Sequence, residues 1–263
     1  VDYGEVAKLA KKDKLDDVEI KAGKPMKLML PILVSDINEG FEALGKPMQA
    51  EFKLDGFRVS ANKDKNDKVK LFTRRMEEVT KQFPDVVELV KENVSGRNFI
   101  TDCEVVGLDK KTGKYLPFQS ISQRIRRKYE IEKMSKEFPV ELNVFDVMYY
   151  NDKSFMNAPL TERRKILEKI VKEKKDKIVL TKKLVSDNEK EINNFYKESL
   201  KAGNEGVVLK NLNSLYVPGR YVNGWCKLKN VLDPLDLVIV GAESGEGKRA
   251  GVLSSFVVAC KSR

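Results

Sequence analysis

Short stretches of alternating or continuous apolar residues recur along this chain, and amphipathic helical stretches interrupt them without a strict strand-helix-strand rhythm. Residues 49–61 show the first pattern clearly. Phe52 and Leu54 alternate with polar neighbours up to Gly56, and Phe57, Val59 and Ala61 resume the period in shifted phase. Two strands, or one bulged strand, produce such a pattern. Further strands are expected at 99–108, 142–150, 206–210, 236–242 and 252–259. After Pro159, the apolar positions Leu160, Ile166, Leu167, Ile170 and Val171 share one helical face; Ile192, Phe195, Tyr196 and Leu200 repeat the pattern before Gly203 ends it. The order of these segments predicts an α+β fold with largely antiparallel sheets. Residues 1–30 are rich in Lys and Asp with little periodicity, and Gly23, Pro25 and Pro31 punctuate the passage into the first apolar segment. We read them as a linker or the tail of a preceding domain.

Side-chain chemistry narrows the function. No His occurs among the 263 residues, which removes Ser-His-Asp triads and His-bound zinc and leaves catalysis to Lys, Arg, Asp or Glu. Cys103, Cys226 and Cys260 are odd in number and far apart, as free thiols of a reducing compartment would be. No apolar run approaches the roughly 18 residues of a membrane span, and no secretory signal opens the chain, so an intracellular protein (cytoplasmic or nucleoid in a prokaryote) is expected. A net charge of +10 favours a polyanionic partner, since each Lys or Arg set on a phosphate releases condensed counterions.

Four segments carry the chemistry: Lys53-Leu54-Asp55-Gly56-Phe57-Arg58, Asp102-Cys103-Glu104-Val105-Val106-Gly107, Glu205-Gly206-Val207-Val208-Leu209-Lys210 and Trp225-Cys226-Lys227-Leu228-Lys229. In this order and spacing they resemble the nucleotidyltransferase motifs shared by DNA ligases, RNA ligases and messenger-RNA capping enzymes. Leu71-Phe72-Thr73-Arg74-Arg75 and Phe145-Asp146-Val147-Met148-Tyr149 resemble further segments of replicative ATP-dependent DNA ligases of archaea and eukaryotes. The run 236–256, with Gly247-Lys248-Arg249-Ala250-Gly251 inside it, resembles the opening of that family's C-terminal oligonucleotide-binding barrel. The resemblance covers about residues 27–263. It implies an ATP-grasp-like nucleotidyltransferase domain over 31–233, followed by the start of a truncated OB-fold from 234 to 263. The family's last basic motif does not occur before Arg263. We therefore expect a chain cut within the barrel and lacking the N-terminal DNA-binding domain of the larger ligases.

By the same resemblance Lys53 is the nucleophile that carries AMP. Glu51, Arg58, Arg74, Glu104, Phe145, Lys227 and Lys229 surround the nucleotide, with Phe145 stacking on adenine and Glu51 beside its amino group. A free lysine has a pKa of about 10.4, so Lys53 has to be perturbed to attack phosphorus; neighbouring cations would lower it. Glu104 and Glu205 are expected to share magnesium, or manganese in its place, with phosphate oxygens. Arg124, Arg126 and Arg127 are expected on DNA phosphates. Each assignment has a plainer counterpart: a surface Lys53, Glu104 or Glu205 paired with Lys or Arg, Phe145 in the core, and Arg124 to Arg127 on a solvated helix face. The glycines from 241 to 251 do not form a P-loop, because position 242 is Ala and 249 is Arg; a turn between strands is expected instead. The implied activity is ATP-dependent sealing of nicked double-stranded DNA in replication, repair and recombination, by a monomer that meets a sliding clamp through parts outside this chain. Its rivals are an RNA ligase or capping-type enzyme, and a non-catalytic nucleic-acid-binding module.

Overall fold

Two sheets receive the two strands flanking Gly56. In the computed structural model, which describes residues 3–14, 20–127, 129–230 and 235–260, the chain divides into a unit of residues 1–229 and a unit of residues 230–263. The first begins with α1 (Tyr3–Ala10), β1 (Met29–Leu30), β2 (Ile32–Leu33), α2 (Ile37–Leu44), β3 (Met48–Lys53), β4 (Phe57–Lys63) and β5 (Val69–Thr73). It continues through α3 (Pro84–Asn93), β6 (Phe99–Leu108), β7 (Tyr115–Leu116), α4 (Gln119–Arg126), α5 (Ile131–Glu137), β8 (Val140–Tyr150) and β9 (Lys153–Ser154). It closes with α6 (Leu160–Ile170), β10 (Ile178–Leu180), β11 (Lys183–Ser186), α7 (Glu189–Lys201), β12 (Gly206–Asn211), β13 (Gly219–Arg220) and β14 (Trp225–Lys229). One sheet has the order β10-β8-β6-β4-β5, with β7 on β6 and β9 on β8; the other runs β11-β3-β12-β14-β2. Pairing is antiparallel except for β10 on β8, β2 on β14 and the separate pair β1 and β13. This is the α+β arrangement that the apolar pattern predicts.

Each sheet has its own core. Val59, Ala61, Leu71 and Val105 of the first pack with Phe83, Val86 and Val90 around α3 and with Leu167 and Ile170 of α6. The second sheet lays Ala50 and Leu209 against Phe41 and Leu44 of α2 and Ile192 and Phe195 of α7. Helix starts are set locally: Asp36 Oδ1 accepts from the Glu39 amide at 2.9 Å, and the Asn188 side chain accepts from the Lys190 and Glu191 amides. Helices α2 to α5 are short, seven to ten residues, and their apolar stripes are too brief to stand out in the sequence.

A third cluster takes in the last residues of the stretch 1–30 that is expected to be linker or tail. Met26, Leu28 and Met29 are buried with Ile100 of β6, Met148 of β8, Tyr216 and Trp225 of β14. A fully buried Met29 contributes about 1.5–3 kcal/mol, which a solvated linker residue does not. The segment lacks periodicity because it plugs a gap between the sheets instead of offering one face to a layer.

The second unit is an antiparallel pair, β15 (Val238–Ser244) and β16 (Leu253–Ala259), joined through a 3-10 turn at Gly247–Arg249. The glycines there supply turn geometry, with Gly247 at φ 59° and Gly251 at φ 89°. No closed barrel is formed among the described residues. The expected domain boundary at 233 lies outside the described residues.

Candidate active site

Lys53 ends β3 in the five-stranded sheet, and four residues later β4 begins in the seven-stranded sheet. The turn between them crosses from one layer to the other and needs Gly56 for a steric reason. A Cβ at Gly56 would lie 2.3 Å from the backbone oxygen of Val105 on β6. Gly206, beside Glu205, is equally confined: its φ is 144°, and a Cβ would meet the Leu228 carbonyl at 2.2 Å. Gly56→Ala is expected to push β4 away from β6 and destabilise the domain by about 1–3 kcal/mol, measurable by urea unfolding. Unchanged stability would show that the turn absorbs the methyl group.

A cleft of about 1660 Å³ lies at this crossing, lined by both sheets. From β3 come Glu51 and Lys53; from β4, β6 and β8 come Arg58, Glu104 and Phe145; Arg74 borders it after β5; Lys227 and Trp225 come from β14. Register explains the convergence: Lys53 pairs with Gly206, Arg58 with Glu104, and Val208 with Lys227. Phe145 reaches the cleft through a bulge in β8. Asp102 pairs with Asp146 and Cys103 with Val144, so Phe145 is the extra residue. Val144 and Val147 then share the core face, although strict alternation would put them on opposite faces.

The electrostatics are those of an anion site. Lys53 Nζ contacts Glu205 Oε2, which makes Glu205 its ion-pair partner. Burial pushes the Glu104 carboxyl up to about 8; Arg58 and Lys53 pull it down, and Asp102 and Glu205 push it further up. Partial burial lowers Lys227, and the fields of Lys53, Lys229, Arg74 and Arg220 add to the effect. Lys227, Lys229, Arg74 and Arg220 form no ion pair with a carboxylate among the described residues. Unpaired cations crowded at a cleft are costly unless an anion joins them. At the other end, buried Glu51 holds Lys210 Nζ at 2.6 Å and accepts from Gln49 at 2.7 Å. Lys210 in turn lies 4.3 Å from the Trp225 ring centroid and 4.9 Å from that of Phe145.

The cleft thus gathers Glu51, Lys53, Arg58, Arg74, Glu104, Phe145 and Lys227, with Glu205 attached through Lys53. Lys229 is exposed one alternation further along β14 and does not line it. Arg124 is a correction. Its side chain is fully buried, donates to Asp85 Oδ1 at 2.5 Å and to the Phe138 carbonyl at 2.9 Å, and packs over Phe83. It is therefore closed to DNA. The signal was present, since Arg124 stands three residues after buried Ile121 on the same helical face. Arg127 is exposed and pairs with Glu130 at 3.5 Å; the side chain of Arg126 lies outside the described residues. Lys210 closes one of the four motif segments but was given no role, and Tyr216 and Arg220 were missed; their places depend on strands distant in sequence.

Fold and cleft define a nucleotidyltransferase domain built like those of ATP-dependent ligases. The structure of mycobacterial DNA ligase D complexed with ATP and MES superposes with a TM-score of 0.58 at 24% identity, over 89% of this chain and 67% of that one. Chlorella virus DNA ligase-adenylate gives 0.52 at 17% identity, over 90% of this chain and 81% of that one. The chain belongs to the ATP-dependent DNA ligase family, whose ATP dependent DNA ligase domain matches residues 28–229. It is 48% identical over 262 residues to the DNA ligase of Nanoarchaeum equitans (strain Kin4-M), and 41% identical over 261 residues to that of Thermococcus onnurineus (strain NA1). Each match takes in 98% of this chain and 46% of the relative, so the chain spans about half the length of those proteins.

Proposed function

We propose that this chain is the nucleotide-transferring core of an ATP-dependent DNA ligase, acting on nicked double-stranded DNA. The observation that carries the reading is Lys53 at the junction of the two sheets, held by one carboxylate and facing cations that have no counter-ion among the described residues. Lys53 Nζ leaves Glu205, gives up a proton to water and attacks the α-phosphorus of ATP in line; the bond to pyrophosphate breaks, and AMP remains on the lysine. Lys227, Arg74 and Arg220 are placed to neutralise the departing charge. AMP then passes to the 5′-phosphate at the nick, and the adjacent 3′-hydroxyl attacks that phosphorus and expels AMP. Phe145 and Trp225 supply aromatic walls for adenine, and the buried Glu51 and Lys210 lie at its edge.

Glu104 and Glu205 suit a divalent ion. Glu104 lines the cleft, Glu205 is tied to it through Lys53, and the field of Glu205 reaches Glu104; no group of three His, Cys, Asp or Glu that could hold a metal occurs among the described residues. Two carboxylates that depend on phosphate and water for the remaining ligands match magnesium, or manganese. When bound, the ion screens phosphate charge and helps orient pyrophosphate for departure.

The test is the intact mass of the chain after incubation with ATP and magnesium, with the adduct mapped by peptide analysis. Addition of one AMP at Lys53 supports the reading; transfer from GTP in preference to ATP would turn it towards a capping enzyme. The absence of any adduct would leave only a binding module. For the next substrate, sealing of a nick already carrying 5′-AMP should exceed joining of the same termini in RNA, or an RNA ligase is the better reading. DNA affinity should fall steeply with salt, log K against log salt having a slope of about −0.9 per neutralised phosphate. Arg127→Ala should reduce that slope by at most about one contact. A flat salt response would contradict a phosphate-based interface. No helix among the described residues is long and apolar enough to cross a membrane. A monomeric state, a sliding-clamp contact and roles in replication, repair and recombination follow from the family as further parts of the proposal.

A further inference from the structure

Arg58 does not face the cleft as a free cation. Its Nε donates to Asp102 Oδ1 at 2.8 Å and its Nη2 to Asp102 Oδ2 at 2.6 Å, a bidentate pair, while Nη1 donates to the Met29 carbonyl at 2.7 Å. A second Nη2 donor points at the Tyr216 hydroxyl at 3.4 Å. Of the five guanidinium N–H groups, this leaves a single one on Nη1 for a ligand. The Tyr216 hydroxyl ties the same groups together from behind: it donates to Asp102 Oδ2 at 2.6 Å and accepts from the Met29 amide at 3.2 Å. Asp102 and Tyr216 are fully buried, and Met29–Leu30 runs parallel to Gly219–Arg220, three residues beyond Tyr216. The ring sits edge-on to Trp225 at 5.8 Å, a packing role that Phe would serve equally well. The hydroxyl is different. Every partner it has is a member of the Arg58 network, and in a dry interior such a closed set holds its members to one geometry.

We propose that Tyr216 is a positioning residue for the adenylation step: its hydroxyl locks Asp102 and the Met29 backbone so that Arg58 presents its one remaining N–H to the nucleotide in a fixed direction. The inference rests on the reading of Lys53 as the adenylated residue. Tyr216→Phe keeps the ring and removes the hydroxyl. The rate of lysyl-AMP formation from ATP and magnesium is measured under single turnover for the wild type, Tyr216→Phe, Asp102→Asn and the double variant, each well below its own melting midpoint. Tyr216→Phe should be slower by about tenfold or more, the size of effect one hydrogen bond to a charged group produces. The double variant should be no slower than Asp102→Asn alone, because both changes act through Arg58. An unchanged rate in Tyr216→Phe overturns the inference, as does a loss that disappears on cooling or one that multiplies in the double variant. A wild-type chain that forms no lysyl-AMP overturns the reading of Lys53 itself, and is told apart from these outcomes by the wild-type measurement alone.

Discussion

Lys53→Ala is expected to abolish the covalent AMP adduct, and Lys53→Arg is expected to abolish it as completely. The second variant is the more informative. Arginine keeps the positive charge and the reach needed to pair with Glu205, so the junction between the sheets and the stability of the domain should survive. What it cannot supply is a lone pair: its guanidinium stays protonated at any working pH and is a poor nucleophile. Intact mass should therefore show no adduct after ATP and magnesium, while urea unfolding remains close to wild type. Adenylation of Lys53→Arg, or an adduct mapped in the wild type to Lys227 or Lys210, would refute the assignment of Lys53.

Asp146→Ala is expected to cost about 3–5 kcal/mol of stability, enough to unfold much of the population of a marginal domain. Asp146 and Arg163 are both fully buried and joined by two bonds, 2.7 Å from Nε and 3.0 Å from Nη2. Arg163 Nη1 also donates to the carbonyls of Ala158 and Ser214, at 2.6 and 2.8 Å. Removal of the carboxylate leaves a guanidinium in the core with its charge unmatched. Asp146 neighbours the Phe145 bulge, so its loss should also loosen the ring that faces the cleft. Asp146→Leu with Arg163→Met removes both charges and should recover a substantial part of the loss. Urea unfolding of the single and double variants decides the matter; a double variant as unstable as the single one would mean that the pair holds the bulge by geometry and not by charge compensation.

The Lys53 to Arg58 segment illustrates how far a sequence carries. A phase shift in the apolar alternation at Gly56 marks two strands, because side-chain direction in a strand is a local property with a period of two. That the two strands belong to different sheets is not local. It depends on β12 pairing with β3 and β6 with β4, contacts formed across 36 or more residues of chain. The burial of Met26 to Met29 was not legible for the same reason: a segment that fills a gap has no periodicity to reveal it. Phe145 escaped alternation because one bulge reversed the faces of the residues after it.

The sequence alone determined the α+β class, the absence of histidine chemistry, the nucleophile candidate, and six of the charged residues that meet at the cleft, Glu51, Lys53, Arg58, Arg74, Glu104 and Lys227, since residue type and motif order survive any folding. Only the tertiary structure decided what each charge does. Arg124, Arg58 and Lys227 are all cations in motif-like surroundings, yet the first is matched by Asp85 in the core, the second is held to one free N–H by Asp102, Tyr216 and the Met29 carbonyl, and the third, beside Lys53, has no ion-pair partner among the described residues. A charge acts through its partners and its exposure to water, and those are set by residues distant in sequence that only the folded chain brings near.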